Sequence, residues 1–128
     1  MNNFENRKRV LVIDDLPINL KLAQKYLESD YDVFLSENAS EITQTVKTTN
    51  PDIILLDLFL GRDNGLEILE EIQSDYTLSQ IPVVMYSSSE DGTIIEKALE
   101  IGAKDYIIKP AQKEELLSRI NNIVRTAN

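Results

Sequence analysis

Five short apolar runs alternate with amphipathic stretches along the whole chain, and this alternation limits the fold more than any other feature. The runs are RVLVID, YDVFLSE, DIILLD, IPVVMYSSS and AKDYIIKP. Between and after them come INLKLAQKYLES, with apolar Ile18, Leu22 and Tyr26 on one face, a stretch from Asn38 to Thr48, then LEILEEIQSD, EDGTIIEKALEIG and QKEELLSRINNIVRT. Strands and helices in strict alternation are joined by right-handed crossovers, which produce a parallel sheet with helices on both faces. Runs that are apolar nearly throughout, rather than at every second position, fit strands buried on both sides. The expected class is α/β: a single doubly wound domain on a five-stranded parallel sheet.

Local signals agree with these boundaries. Asp15-Leu16-Pro17 reads as a helix start, with an acidic cap and proline in the first turn. Asn64-Gly65 supplies turn chemistry in the loop LGRDNG. Gly102 closes one helix and Pro110 stops the last strand. At 128 residues the chain suits one domain, with residues 1–7 expected as a short N-terminal tail, 8–126 as the folded unit, and no effector domain.

Composition removes several classes of function. There is no histidine, so the commonest general base and metal ligand is missing, and a Ser-His-Asp arrangement with it. Without cysteine there is no disulfide framework. A formal charge of −9 argues against direct nucleic-acid binding, and Arg7-Lys8-Arg9 reads as a solvated lead-in to the first strand. No apolar run approaches the roughly 20 residues that span a bilayer, and MNNFENRKRV lacks the apolar centre of a secretory signal. A cytoplasmic location with no membrane partner is the resulting expectation.

In open parallel sheets, ligands bind beyond the carboxyl ends of the strands. The first run ends in Asp14-Asp15, the third in Asp57, the fourth in Ser87-Ser88-Ser89 and the fifth in Lys109-Pro110. Taken singly, each has an ordinary explanation: Asp15 as a helix cap, Asp14 as a solvent-facing acid, Asp57 as the start of an Asx-turn, Tyr106 as a packed strand aromatic. Their joint occurrence at successive strand ends suggests one site. Three crowded carboxylates repel unless a cation is near. Hard oxygen ligands with room for water suit Mg²⁺, with Mn²⁺ as an alternative. Lysine and a serine hydroxyl suit a phosphoryl group, and Asp57, the most central carboxylate, would be its nucleophilic acceptor.

The pieces VLVIDDLPIN, IILLDLFLGRDNGLEIL, IPVVMYSSSED and GAKDYIIKPAQKEEL resemble the receiver domain of two-component response regulators, over essentially the whole chain. The resemblance implies a flavodoxin-like (βα)5 sheet of order 2-1-3-4-5. It further implies phosphorylation of Asp57 by a histidine kinase or a histidine phosphotransfer protein. Asp14, Asp15, Asp57 and the backbone carbonyl of Phe59 would hold the metal, directly or through water. Lys109 would contact the phosphoryl oxygens, Ser87 and Tyr106 would be the switch pair, and Lys109–Pro110 would be a cis peptide. Gly61 stands where the family commonly has proline and Asp63 where it has an apolar residue, so a looser loop is expected after Asp57. Ala111 stands in place of a frequent phenylalanine.

In the expected switch, phosphorylation draws in the Ser87 hydroxyl and vacates space for Tyr106, altering the face made by the fourth helix, fifth strand and fifth helix. Bulky Phe59, flanking the path of an attacking water with Ser89, is expected to slow hydrolysis. Such a chain is a phosphoacceptor rather than an enzyme, and it contacts a downstream protein effector that the sequence does not identify. Two other readings remain: an aspartate-nucleophile phosphohydrolase, and a degenerate receiver that only binds. The hydrolase reading lacks a second acid two residues after Asp57, where Phe59 stands.

Overall fold

The alternate residues of each central strand feed two separate apolar layers. Leu11 and Ile13 of β1 (Arg9–Ile13), Ile54 and Leu56 of β3 (Ile53–Leu56), and Val83 and Met85 of β6 (Val83–Ser87) pack on one face of the sheet. Val10, Val12, Ile53, Leu55, Val84 and Tyr86 pack on the other. A strand's side chains point to opposite faces in turn, so only apolar residues at every position satisfy both layers. This is the physical reason for the unbroken runs in the sequence. A computed structural model describes residues 7–126, so residues 1–6 of the expected tail lie outside the described residues.

The remaining strands of the sheet are β2 (Asp32–Ser36) and β7 (Asp105–Ile108), and all its neighbours pair in parallel in the order β2-β1-β3-β6-β7. Counting only sheet strands, this is the order 2-1-3-4-5 of a flavodoxin-like fold. Helices α2 (Ile42–Thr49), α3 (Gly65–Ser74) and α4 (Gly92–Ile101) cover the first face through Ile42, Val46, Ile68, Leu69, Ile72 and Ala98. Helices α1 (Pro17–Leu27) and α5 (Lys113–Thr126) cover the second through Leu20, Ala23, Leu27, Leu116, Ile120 and Ile123. A 3₁₀ turn, Leu78–Gln80, which the sequence did not signal, brings Leu78 into the first layer. No described helix is long and apolar enough to cross a membrane.

Several local expectations are corrected. The buried stripe of α1 is Leu20, Ala23 and Leu27, whereas Ile18 is 74% exposed and Leu22 is 42% exposed. Both sets have helical spacing, and packing against α5 and the sheet selects between them. Asp15 does not cap α1; the residue before the helix is Leu16, whose N–H is taken by the Asp14 carboxylate at 2.9 Å. Helix α2 begins at Ile42 rather than Asn38, because the Asn38 side chain instead accepts from the Ser40 N–H and hydroxyl.

The loop after Asp57 contains a small antiparallel hairpin, β4 (Phe59–Leu60) with β5 (Asp63–Asn64). Gly61, at φ +64°, supplies the backbone conformation its two-residue turn requires. Asn64 is therefore not a turn residue but the N-cap of α3, accepting from the Leu66 N–H at 2.8 Å. Nor is the basic cluster merely a solvated lead-in. Arg7 donates to the carbonyls of Glu28 and Tyr31, while Arg9 begins β1 and donates to the Thr49 carbonyl.

The choice of buried face on α1 is directly testable. Leu20→Ala should lower stability by about 2–5 kcal/mol in urea unfolding. Ile18→Ala should stay within about 0.5 kcal/mol of the parent. Equal losses would contradict the assignment.

Candidate functional site

Asp14, Asp57 and Lys109 each stand one position beyond a strand, and Ser87 is the last residue of its own. Their backbones remain tied to the sheet. The Asp14 N–H donates to the Ser36 carbonyl at 3.1 Å, the Asp57 N–H to the Ile13 carbonyl at 3.1 Å, and the Lys109 N–H to the Ser87 carbonyl at 2.9 Å. At three of these ends a side-chain oxygen accepts the N–H two residues further on. Asp14 takes that of Leu16 at 2.9 Å, Asp57 that of Phe59 at 3.4 Å, and Ser87 that of Ser89 at 3.4 Å. Chain that leaves a sheet frees backbone donors, and these side chains meet that need while their own positions are fixed.

The site residues are buried although they are polar. Asp14 is 3% exposed, Asp57 6% and Ser87 0%, so Asp14 is not a solvent-facing acid. Asp14, Asp15 and Asp57 each offer a carboxylate oxygen within 4.8 Å of the others. Lys109 bridges two of them, its Nζ donating to Asp14 Oδ2 and, at 3.3 Å, to Asp57 Oδ2. Burial pushes the Asp57 carboxyl above the usual carboxylate range and the neighbouring Asp14 charge adds to this; the Lys109 ammonium and the Phe59 N–H pull it back only in part.

The third acid is held differently. Asp15 Oδ2 accepts the N–H of Gly61 at 3.0 Å, which ties the hairpin turn to the first strand end. A proline there would have no N–H to give, so the glycine pins this loop instead of loosening it. Close approach also explains Gly65 at the start of α3. A Cβ on it would lie 2.6 Å from Leu58 Cα and nearer still to the Asp57 carbonyl. The Gly65 N–H donates to the Leu58 carbonyl at 2.8 Å, and α3 thus begins against the backbone that carries Asp57.

Tyr106 is buried beside this cluster, and its hydroxyl donates to the Ser89 carbonyl at 2.9 Å. Burial pushes that hydroxyl's pKa up, against the opposing influence of Ser87 and Ser89. Tyr106 is thus held in a buried position beside Ser89 in this structure. Phe59, in contrast, is 55% exposed at the mouth of the site. The Lys109–Pro110 peptide is cis.

Sequence reasoning missed three partners. Asn19 Nδ2 lies 3.4 Å from Asp14 Oδ1, the Gly61 N–H holds Asp15, and the Tyr86 ring lies 5.1 Å from Lys109 Nζ. Asn19 in the first turn after Asp14-Asp15, and an aromatic immediately before Ser87, were the available signals. A backbone donor carries no sequence signal of its own.

A parallel sheet of this order, with three carboxylates and a lysine gathered at its carboxyl edge, defines a receiver. The chain belongs to the response regulator receiver domain family, whose profile matches residues 10–121. It is 36% identical to the transcriptional regulatory protein BaeR of Escherichia coli O6:H1 over 94% of this chain and 50% of that one. It is 30% identical to hybrid signal transduction histidine kinase D of Dictyostelium discoideum, over 95% of this chain and 8% of the kinase. The chain therefore spans half or less of these two relatives. Among solved structures, the BeF3-activated N-terminal receiver domain of Klebsiella pneumoniae RstA superposes with a TM-score of 0.85 at 26% identity, covering 93% of this chain and 100% of that one.

Lys109 is the only side chain seen to bridge Asp14 and Asp57 among the described residues. Lys109→Met should lower stability near neutral pH by about 1–3 kcal/mol by stranding buried acceptors. A carboxyl whose folded pKa exceeds its unfolded value contributes stability that is present at low pH and lost as pH rises through the folded value. The deficit should therefore shrink between neutral pH and about pH 4 in urea titrations. A deficit of the same size at both would contradict the shared counter-charge.

Proposed function

We propose that this receiver accepts a phosphoryl group on Asp57 from a histidine kinase or a histidine phosphotransfer protein, and that the modification changes a protein-binding face. The observation that carries the reading is a buried Asp57 carboxylate that accepts a hydrogen bond from Lys109 and lies within reach of two further acids. The folded unit that does this is residues 8–126, and it works in the cytoplasm.

The donor set fits a small, hard divalent cation: three carboxylates close together, one of them only partly buried. Asp14, Asp15, Asp57 and the Phe59 carbonyl would hold Mg²⁺, or Mn²⁺ in its place. When bound, such an ion supplies positive charge against the phosphoryl oxygens. The protein's own groups do the rest. An Asp57 carboxylate oxygen attacks the phosphorus of a phosphohistidine protonated on its other ring nitrogen; the new O–P bond forms as the P–N bond breaks, and the electron pair of that bond leaves with the donor's neutral imidazole. Lys109, already 3.3 Å from Asp57 Oδ2, neutralises charge on the transferring group. Having no histidine, the chain is an acceptor and not itself the donor.

A phosphoryl oxygen would then accept the Ser87 O–H and draw toward it the hydroxyl whose oxygen here accepts the Ser89 N–H. Since Ser89 also receives the Tyr106 hydroxyl through its carbonyl, a change at Ser87 reaches Tyr106 through one shared residue. The inward arrangement becomes the more populated one, and the face of α4, β7 and α5 takes the shape that a downstream protein reads.

Incubating the purified chain with Mg²⁺ and a small-molecule phosphodonor, followed by intact-mass and peptide analysis, tests this. One phosphoryl group on Asp57 is expected, with none on an Asp57→Asn variant. No mass gain, attachment elsewhere, or catalytic turnover of phosphate esters would overturn it.

A further inference from the structure

Lysine is a flexible, strongly hydrated point charge, and a site that depends on it must restrain its four-carbon stem. The two carboxylates fix where the Lys109 ammonium is drawn, but they do not restrain the stem that carries it. The ammonium also lies over the ring of Tyr86, with the centroid 5.1 Å from Nζ. Tyr86 is 7% exposed, and the Lys109 side chain is 14% exposed, so water has little access between them. A cation over an aromatic face gains most under such conditions.

The register of the sheet builds this contact. Tyr86 pairs with Ile107 and Ser87 with Ile108 in the parallel β6–β7 ladder, and the Lys109 N–H continues the ladder onto the Ser87 carbonyl. Lys109 therefore leaves β7 directly beside the strand end that carries Tyr86. The ring itself is held in the second apolar layer, where Ala111, Leu116 and Leu20 are also buried. The Ala111 backbone N–H is directed at the Tyr86 hydroxyl, an influence that opposes the upward push of burial on this group. A small residue at 111 leaves room for this tyrosine close to the chain after Pro110.

We propose that Tyr86 is a positioning residue for phosphorylation of Asp57, its ring face holding the Lys109 ammonium over Asp14 and Asp57. The proposal rests on the phosphoacceptor reading, but the contact can be tested without it. The aromatic face is the operative part, so the hydroxyl should be dispensable. A large apolar side chain without a π-system should fill the space but fail to hold the charge.

The experiment has two arms. In the unmodified protein, NMR of the Lys109 side chain should show its terminal CH2 and ammonium signals displaced by the Tyr86 ring current. The displacement should persist in Tyr86→Phe and vanish in Tyr86→Leu. Ordinary Lys109 shifts in the parent protein would overturn the proposal, whatever the variants do. In the second arm, phosphorylation by a small-molecule donor with Mg²⁺ is timed for variants whose thermal midpoints show them folded at the assay temperature. Tyr86→Phe should react within about twofold of the parent and Tyr86→Leu about three- to thirty-fold more slowly. A leucine variant as fast as the parent, or a phenylalanine variant as slow as leucine, would also overturn it. If the parent itself takes no phosphoryl group, the phosphoacceptor reading fails, and the first arm still decides the contact.

Discussion

One ammonium group, on Lys109, lies between two buried carboxylates that belong to other strands. Asp14 and Asp57 are 3% and 6% exposed, and without a neighbouring positive charge two ionised acids so placed would repel and resist desolvation. Lys109 meets both, and the carboxyl edge of the sheet is assembled around that contact. The compensation is incomplete, because three acids gather where one lysine meets only two of them. That residual negative charge suits the site to a further cation, while burial, with the Asp14 charge added to it, keeps the Asp57 carboxyl raised.

The scaffold supplies precision by a repeated device. Asp14, Asp57, Ser87 and Lys109 each keep a backbone hydrogen bond to the neighbouring strand while their side chains are released at the strand ends. Because the central strands are buried in two apolar layers, neither register nor height is free to drift. Gly65 lets α3 begin against the Asp57 backbone, and Gly61 turns the short hairpin so that its N–H reaches Asp15. Charged groups are thus carried on stiff elements, and the turns are shaped to meet them.

Much of this was legible in the sequence because burial on both faces leaves a plain mark. The five runs, their parallel arrangement and the site residues at their ends could all be read from residue type and order. Other features were not legible, for identifiable reasons. Helix α1 carries apolar residues at Ile18, Leu20, Leu22, Ala23, Tyr26 and Leu27, so periodicity alone could not choose its buried side. Strands β4 and β5 have two residues each, too short for any period to show. The contact of Tyr86 with Lys109 depends on register between neighbouring strands. Capping of Asp15 by the Gly61 N–H spans 46 positions and uses a backbone atom that every non-proline residue has.

The balance of charge around Asp57 is open to direct measurement. In metal-free protein, ¹³C NMR of the Asp57 carboxyl followed through acid pH should give a midpoint above that of an ordinary aspartate, with the Lys109 ammonium signal moving in the same step. A midpoint at or below the ordinary value, or a Lys109 signal indifferent to that step, would contradict a buried pair of acids sharing a single ammonium.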